Sequence, residues 1–222
     1  MPDRSYDNSD ERQFKEKAEM QAYQEVGNHN LFMMCEKKRT AAFRDLPEGY
    51  WVTTCTEDRF SDWLAVAVDA RYRHLLLAFY QQVYAAQEDT FLKRCYLVYD
   101  QHHTAVATAL LWKAYGQFES LGWVRTLPAY EGRGIGRGLL SAVLSQAEAP
   151  IYLHTQPTSI TAISLYLDLG FVFLDDPRIG MRSNDVFKDQ ELLEKLLDRK
   201  LPFKAAPASF IQALKDQKID EL

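Results

Sequence analysis

The sequence has little of what several classes of protein require. It contains only three cysteines, Cys35, Cys55 and Cys95, and none of them has CxxC spacing. This pattern indicates free thiols in a reducing compartment and favours neither a zinc site nor a disulfide scaffold. No apolar run approaches the ~18 residues of a membrane span. The N-terminus, MPDRSYDNSDERQFKEK, also lacks the apolar stretch of a secretory signal. We therefore expect a cytoplasmic protein with no membrane partner.

An excess of positive charge is missing as well. The formal net charge is −5 at pH 7, which provides no basic field, so we expect no nucleic-acid partner. Apolar residues are plentiful: 47% of the chain is hydrophobic and 13% is aromatic. This composition predicts a packed core and argues against global disorder.

The hydrophobic pattern predicts alternating strands and helices in the order β-α-α-β-β-β-α-β-α-β. Strands are expected at 50–55, 95–99, 105–112, 121–127, 151–155 and 171–174, and helices at 57–68, about 71–87, from the glycine loop to about 147, and 159–169. Antiparallel hairpins come first and βαβ units second, so the sheet should be mixed.

Proline and glycine positions suggest the domain boundaries. Pro47 and Gly49 mark the entry to the compact part of the chain. We therefore expect a polar N-terminal extension over 1–47, a domain over 48–176 and a C-terminal helical extension over 177–222. Residues 1–27 are interpreted as a weakly amphipathic helix or a frayed arm.

The stretch EGRGIGRGLL, residues 131–140, places four glycines directly before an apolar helix. Unpaired N–H groups and the helix dipole attract an anion at such a position, and glycine lets a phosphate oxygen approach the main chain. The GK[ST] ending of a P-loop and the spacing of a Rossmann fingerprint are both missing. The stretch thus indicates a site for a diphosphate-bearing ligand or, alternatively, a flexible arginine–glycine turn. Its candidate binding residues are Glu131, Gly132, Arg133, Gly134, Ile135, Gly136, Arg137 and Gly138.

Two segments together resemble a known family. WVRTLPAYEGRGIGRGLL, residues 123–140, looks like motif A of the GNAT acyltransferase superfamily, and YLHTQPTSITAISLYLDLGF, residues 152–171, is similar to its motif B. The order and the separation of the motifs also match, and the resemblance covers about residues 48–175. It implies the α/β (α+β) GNAT fold, with a mixed, mostly antiparallel central sheet and helices on both faces. It also implies that the pyrophosphate of coenzyme A approaches the glycine loop.

The activity that the resemblance implies is N-acetyl transfer. Acetyl-CoA would be the co-substrate, without a metal, and a primary amine on a small molecule, amino acid or peptide would attack it directly in a ternary complex. The alternative is a non-catalytic GNAT-fold module that binds acyl-CoA or a protein partner. A homodimer is compatible with the sequence.

The resemblance also assigns the acyl site. It places the thioester carbonyl against a backbone N–H in the segment Val124, Arg125 and Thr126, with that strand splayed from 151–155 to admit the pantetheine arm. Tyr166 matches the motif B tyrosine, which protonates the leaving thiolate; the alternative is a tyrosine that fills the core.

Four further positions carry open alternatives. Glu119 is a candidate general base or a solvated turn residue, and His154 is a candidate proton relay or a core histidine. Ser159 replaces the family's asparagine and is either a ligand-binding hydroxyl or an N-cap. Glu131 stands where the family has arginine or glutamine, and a carboxylate there would oppose a diphosphate unless Arg133 or Arg137 neutralises it.

Overall fold

The computed structural model describes residues 29–215 and 217–222. The helix or frayed arm predicted for residues 1–27 lies outside them. The described strands are β1 (Leu31–Cys35), β2 (Tyr50–Thr54), β3 (Cys95–Asp100), β4 (Ala105–Ala114), β5 (Phe118–Thr126), β6 (Ile151–Thr155), β7 (Val172–Leu174), β8 (Arg178–Ile179), β9 (Arg182–Ser183) and β10 (Phe203–Lys204). The described α-helices are α1 (Phe60–Ala67), α2 (Arg73–Val83), α3 (Glu88–Arg94), α4 (Ile135–Gln146), α5 (Ile160–Leu169), α6 (Gln190–Leu197) and α7 (Ala208–Leu214).

Eight strands form one sheet in the order β10-β7-β1-β6-β5-β4-β3-β2, and β8 and β9 form a separate hairpin. Within the eight-stranded sheet, β5–β6 and β7–β10 pair in parallel and the other neighbours are antiparallel. The mixed, mostly antiparallel sheet predicted from the sequence is therefore confirmed.

Helices cover both faces of this sheet because its strands are apolar on both sides. On one face, α4 and α5 contribute Leu139, Leu140, Val143 and Ile163 to a core with the strands. On the other face, α1, α2 and α3 pack an aromatic core around Trp63, which is fully buried. Among the described residues, no helix is long and apolar enough to cross a membrane.

Most predicted elements are present, with differences in the middle of the chain. The helix predicted over about 71–87 ends at Val83, and a further helix, α3, begins at Glu88. The backbone between them turns through a short 3-10 segment, Ala85–Gln87. The apolar periodicity did not reveal this break because no proline or glycine marks it.

Strand β1 lies in the part of the chain that was expected to be an N-terminal extension. All five of its residues are buried, and it pairs with β6 along its whole length and with β7 at Met33 and Met34. At the other end of the chain, β10 extends the sheet beyond β7, between the two helices of the expected C-terminal extension. The boundaries drawn at 47 and 176 therefore do not delimit the sheet.

A buried side chain bridges β1 and β7 where the pairing of these two strands stops. Asn184 accepts a hydrogen bond from the Phe32 backbone N–H (3.1 Å). Its amide nitrogen donates to the carbonyl oxygens of Leu174 (2.7 Å) and Asp176 (2.8 Å). Asn184 is 3% exposed, so water cannot readily replace these bonds.

We expect Asn184→Ala to lower the free energy of unfolding by about 2–4 kcal/mol, because it leaves three backbone groups without this partner. Urea unfolding followed by circular dichroism measures the change. The control is Ser183→Ala at the neighbouring exposed position, which should stay within about 0.5 kcal/mol of the parent protein. Equal stability of the two variants would contradict the bridging role of Asn184.

Candidate functional site

The sheet opens between β5 and β6. These parallel strands pair only at Glu119↔Ile151 and Ser120↔Tyr152, although β5 continues to Thr126 and β6 to Thr155. Beyond Ser120 the strands diverge, and none of the described strands pairs with this edge of β5. The splay expected between these strands is present.

The first space beside this opening is the helix groove, a cavity of about 660 Å³ between the glycine loop, the end of β5 and the start of α5. It brings together most of the predicted cofactor-binding residues: Val124, Arg125, Thr126, Glu131, Gly132, Gly134, Ile135, Gly136, Arg137 and Ser159. Arg133, Gly138 and Tyr166 do not line this groove.

The glycine loop has a backbone conformation that favours glycine. Gly132 and Gly134 have φ values of +73° and +85°, in the left-handed region. Gly134 is the N-cap of α4, so the N–H groups of the first helical turn lack intrahelical partners. Among the described residues, a Cβ on Gly132 would meet nothing within 4 Å, and one on Gly136 would make ordinary contacts at 3.5 Å with Leu165 and Thr126. The described part of the chain therefore leaves open space at Gly132, and at Gly136 it leaves room for a methyl group at most.

Gly138 has a packing role in addition to the binding role predicted for the loop. A Cβ at this position would lie 2.8 Å from Leu46 Cα and 2.9 Å from Leu46 Cδ2. Gly138 is therefore required by the close approach of the Leu46 segment to α4. Its lack of a side chain needs no ligand to explain it.

The two arginines of the loop are already engaged. Arg133 donates to the Ala129 carbonyl oxygen (2.9 Å) and to the Tyr50 hydroxyl (3.2 Å). Arg137 forms an ion pair with Asp168 at 2.6 Å. Within the described part of the chain, neither arginine forms an ion pair with Glu131, whose side chain is exposed. The neutralisation considered for Glu131 is not seen in this structure.

The second space is the inner cavity, about 890 Å³ in volume, on the other side of the opening. It is lined by the diverging parts of β5 and β6, by the segment from the end of α1 into α2, and by residues near the end of the chain. Four residues line both spaces and define their junction: Val124, Arg125, Ser159 and Ala162. The helix groove and the inner cavity therefore meet where β5 leaves β6.

Tyr166 of α5 lines the inner cavity and is 5% exposed. Burial raises the pKa of its phenol well above the usual value. The hydroxyl therefore remains protonated at neutral pH and can act as a proton donor. The same ring also packs in the core, tilted against Phe171 at 5.7 Å, as the packing interpretation expects. The role as proton donor stays a prediction.

Ser159 and His154 also lie at the cavity wall. Ser159 is the N-cap of α5 by position, but its side chain makes no capping hydrogen bond, so capping alone does not account for it. Burial, with a smaller contribution from Arg182, lowers the pKa of His154 to about 4. The imidazole is therefore neutral at pH 7, and one ring nitrogen is able to accept a hydrogen bond.

Glu119 is not brought to either space. It is 6% exposed and forms an ion pair with Arg94, and it lies at the closed end of β5, where that strand still pairs with β6. Burial raises the pKa of its carboxyl group, against the opposing effect of Arg94. The structure therefore gives Glu119 no contact with the junction.

Two other carboxylates line the inner cavity, Asp69 and Glu221. Asp69 forms an ion pair with Arg125 of β5. Sequence reasoning did not single out either residue, because they belong to segments far apart in the chain and to no motif. Among the described residues, no group of three or more His, Cys, Asp or Glu side chains is arranged to hold a metal ion.

Known proteins match this chain either over a short segment or at low sequence identity. An uncharacterized protein of Mycobacterium leprae is 46% identical over 56 residues, which is 25% of this chain and 14% of that protein. A solved GCN5-related N-acetyltransferase from Sphaerobacter thermophilus is 18% identical, with a TM-score of 0.49, over 71% of this chain and 53% of its own. A GNAT-family acetyltransferase from Colwellia psychrerythraea is 13% identical, with a TM-score of 0.48, over 67% and 53% of the two chains. The matches thus span about half or less of these relatives.

The comparison with family models covers most of the chain. The model described as the acetyltransferase (GNAT) family matches residues 10–171. That range contains the glycine loop, the diverging strands and Tyr166. It also includes β1, which the resemblance at 48–175 had left out. The chain belongs to the GNAT family of acetyltransferases.

Proposed function

We propose that this protein transfers an acetyl group from acetyl-CoA to a primary amine, by direct attack of the amine in a ternary complex. The observation that carries the proposal is the junction at which the helix groove meets the inner cavity. A long co-substrate in the groove and an acceptor in the cavity would meet at this one opening in the sheet.

The helix groove fits coenzyme A. Free N–H groups at the start of α4 would bind the diphosphate, and the open space at Gly132 together with the lack of a side chain at Gly136 would let its oxygens approach the backbone. The pantetheine amides would pair with the free edge of β5. The thioester carbonyl would then lie against a backbone N–H of Val124, Arg125 or Thr126, where a hydrogen bond favours the developing negative charge.

The inner cavity fits the acceptor side of the reaction. The nitrogen lone pair of the amine forms the new C–N bond, the C–S bond breaks, and the sulfur leaves with the electron pair. Tyr166 supplies the proton that the sulfur takes up. The neutral His154 accepts a hydrogen bond from the amine and relays the proton that the nitrogen loses back to the Tyr166 phenolate, so the proton count balances. Glu119 has no part in this proposal because its carboxylate is held by Arg94 away from the junction.

Thermal shift with acetyl-CoA, followed by thiol release in a panel of primary amines, tests the proposal. We expect stabilisation by acetyl-CoA and amine-dependent release of coenzyme A. Stabilisation without release for any amine would favour the non-catalytic acyl-CoA-binding module. A lack of stabilisation would contradict both interpretations.

Alanine variants at two glycines of α4 test separately whether the loop binds coenzyme A and whether it is needed for packing. We expect Gly136→Ala to keep or raise the melting temperature, since alanine favours a helix by about 1 kcal/mol, but to weaken coenzyme A binding at least tenfold by filling the groove. Gly138→Ala should instead cost about 1–3 kcal/mol of stability through overlap with Leu46. Calorimetric titration and thermal unfolding measure both effects. Unchanged affinity in Gly136→Ala would remove this turn from the binding site.

Tyr166→Phe should lower kcat by about 10²–10⁴ and leave acetyl-CoA affinity nearly unchanged, because the phenol acts on charge that develops as the thiolate leaves. Steady-state thiol release and a separate binding titration measure the two quantities. Tyr96→Phe, a half-buried tyrosine that lines neither space, is the control. A fully active Tyr166→Phe variant would show that the ring serves packing alone.

Glu131→Gln should tighten coenzyme A binding by up to about tenfold at low salt, because the carboxylate lines the groove without a neutralising arginine. The gain should shrink at high salt, where the screening length falls below its physiological value of ~8 Å. Titrations at two salt concentrations measure it, and Glu148→Gln, at an exposed site after α4, controls for net charge. Weaker binding in Glu131→Gln would show that Glu131 organises the loop.

A further inference from the structure

The segment Asp220, Glu221 and Leu222 is held against the inner cavity by specific contacts. Asp220 forms an ion pair with Arg182, and the Glu221 backbone N–H donates to the Tyr115 hydroxyl (3.1 Å). Leu222 packs against buried residues of two hydrophobic clusters. Glu221 and Leu222 therefore line the cavity in a defined position, although neither belongs to a helix or a strand.

The Glu221 carboxylate is fixed through one oxygen. Its Oε2 accepts hydrogen bonds from the Tyr115 backbone N–H (2.7 Å) and from the Trp112 indole N–H (3.1 Å). A carboxylate has about four acceptor positions, and Oε1 accepts no hydrogen bond from the residues that the structure describes, so it is available for a ligand. The fixed geometry means that little side-chain entropy is lost when a cation binds there.

Glu221 is the one charged side chain of the described cavity lining whose charge is not balanced by an ion pair. The other charged side chains of the lining are Asp69, Arg125 and Arg182. Arg125 pairs with Asp69, and Arg182 pairs with Asp220, so both arginines are neutralised by partners other than Glu221. His154 is neutral at pH 7 because its pKa is about 4. The cavity therefore has a negative charge at the Glu221 end.

Glu221 lies far from the junction. In the pairing of β4 with β5, Thr108 lies opposite Arg125 and Leu110 lies opposite Gly122. Val124 of the junction is therefore level with Ala109 of β4. Of the two residues that contact Glu221, Trp112 follows three residues later and Tyr115 six, which is roughly 10–20 Å along a strand that rises ~3.3 Å per residue. A carboxylate at that distance cannot take the proton of the attacking amine, but it can bind a second positive group of the same acceptor.

Aromatic side chains line the path between the two ends. Trp123 donates from its indole N–H to the Tyr84 hydroxyl (3.0 Å), and the Tyr84 ring packs edge-on to Trp112 at 4.8 Å. All three line the cavity. Such a wall suits an aliphatic chain, whose methylene groups it covers, and it attracts ammonium groups through cation–π contacts.

We propose that the acceptor is a linear polyamine, with one terminal amine at the junction and a distant ammonium group bound to Glu221. This inference rests on the proposed acetyl transfer and names its substrate class. The excess negative charge of Glu221, its distance from the junction and the aromatic walls between them together favour an extended polyamine over a short or neutral amine.

The test compares spermine, which is long enough to span this distance, with putrescine, which is too short, in the parent protein and in Glu221→Gln. Glutamine keeps an acceptor for Trp112 and Tyr115 but removes the charge. We expect the parent to have a lower KM for spermine than for putrescine, and Glu221→Gln to raise the spermine KM about tenfold and the putrescine KM much less. Glu148→Gln makes the same change in net charge outside the cavity and should leave every constant as in the parent.

The outcomes separate this inference from the proposed function. Equal KM values for the two amines in the parent, or an unchanged spermine KM in Glu221→Gln, would overturn the polyamine assignment while amine acetylation stands. An equal loss of kcat for both amines in Glu221→Gln would also overturn it, since that result would place Glu221 in the chemistry. If neither amine nor any other primary amine is acetylated, the proposed function itself fails.

Discussion

The divergence of β5 from β6 is the constraint on which the rest of the site depends. Two parallel strands that stayed paired would satisfy their backbone groups and close the sheet. Here pairing stops after Ser120, while β5 continues its antiparallel pairing with β4 as far as Thr126. The backbone of Trp123 has a φ of +50°, in the region that costs a bulky residue conformational energy. Trp123 lies where the pairing of β4 with β5 shifts register, between Thr108 and Leu110. At this point the edge of β5 faces the helix groove and the inner cavity.

Strand β1 lets the sheet tolerate this opening. It pairs with β6 at all five positions from Leu31 to Cys35, so β6 has a complete partner on the side away from β5. The chain that follows β1 then secures the helix over the groove, because Lys38 donates to the carbonyl oxygens of Leu144 (2.8 Å) and Ala147 (2.9 Å) at the C-terminal end of α4. A cation at this end of a helix also interacts favourably with its dipole. One N-terminal segment thus supports both the open sheet and the helix whose start forms the glycine loop.

The structure divides the polar residues of the site between binding and architecture. Arg137 and Arg199 both bond to Asp168, which ties α4, α5 and the end of α6 together instead of presenting free cations. Glu119 and Arg94 form a comparable internal pair. The polar side chains that remain near the junction are Ser159, which makes no capping hydrogen bond, and, in the inner cavity, the neutral His154 and the buried phenol of Tyr166. Binding of an anionic co-substrate would therefore rest mainly on backbone N–H groups.

The sequence by itself determined the local features: the glycine loop before α4, the two motifs, and most strands and helices, since each depends on residues close together in the chain. It could not reveal β1, because LFMMC is a short apolar run whose strand pairing is made with residues 151–155, about 120 positions later. It also could not show that Gly138 is required by the close approach of Leu46, or that Glu119 forms an ion pair with Arg94. The carboxylate of Glu221 reaches the inner cavity only because Tyr115 and Trp112 hold it there. Tertiary structure alone decided these points, because each is a contact between segments that the order of residues leaves far apart.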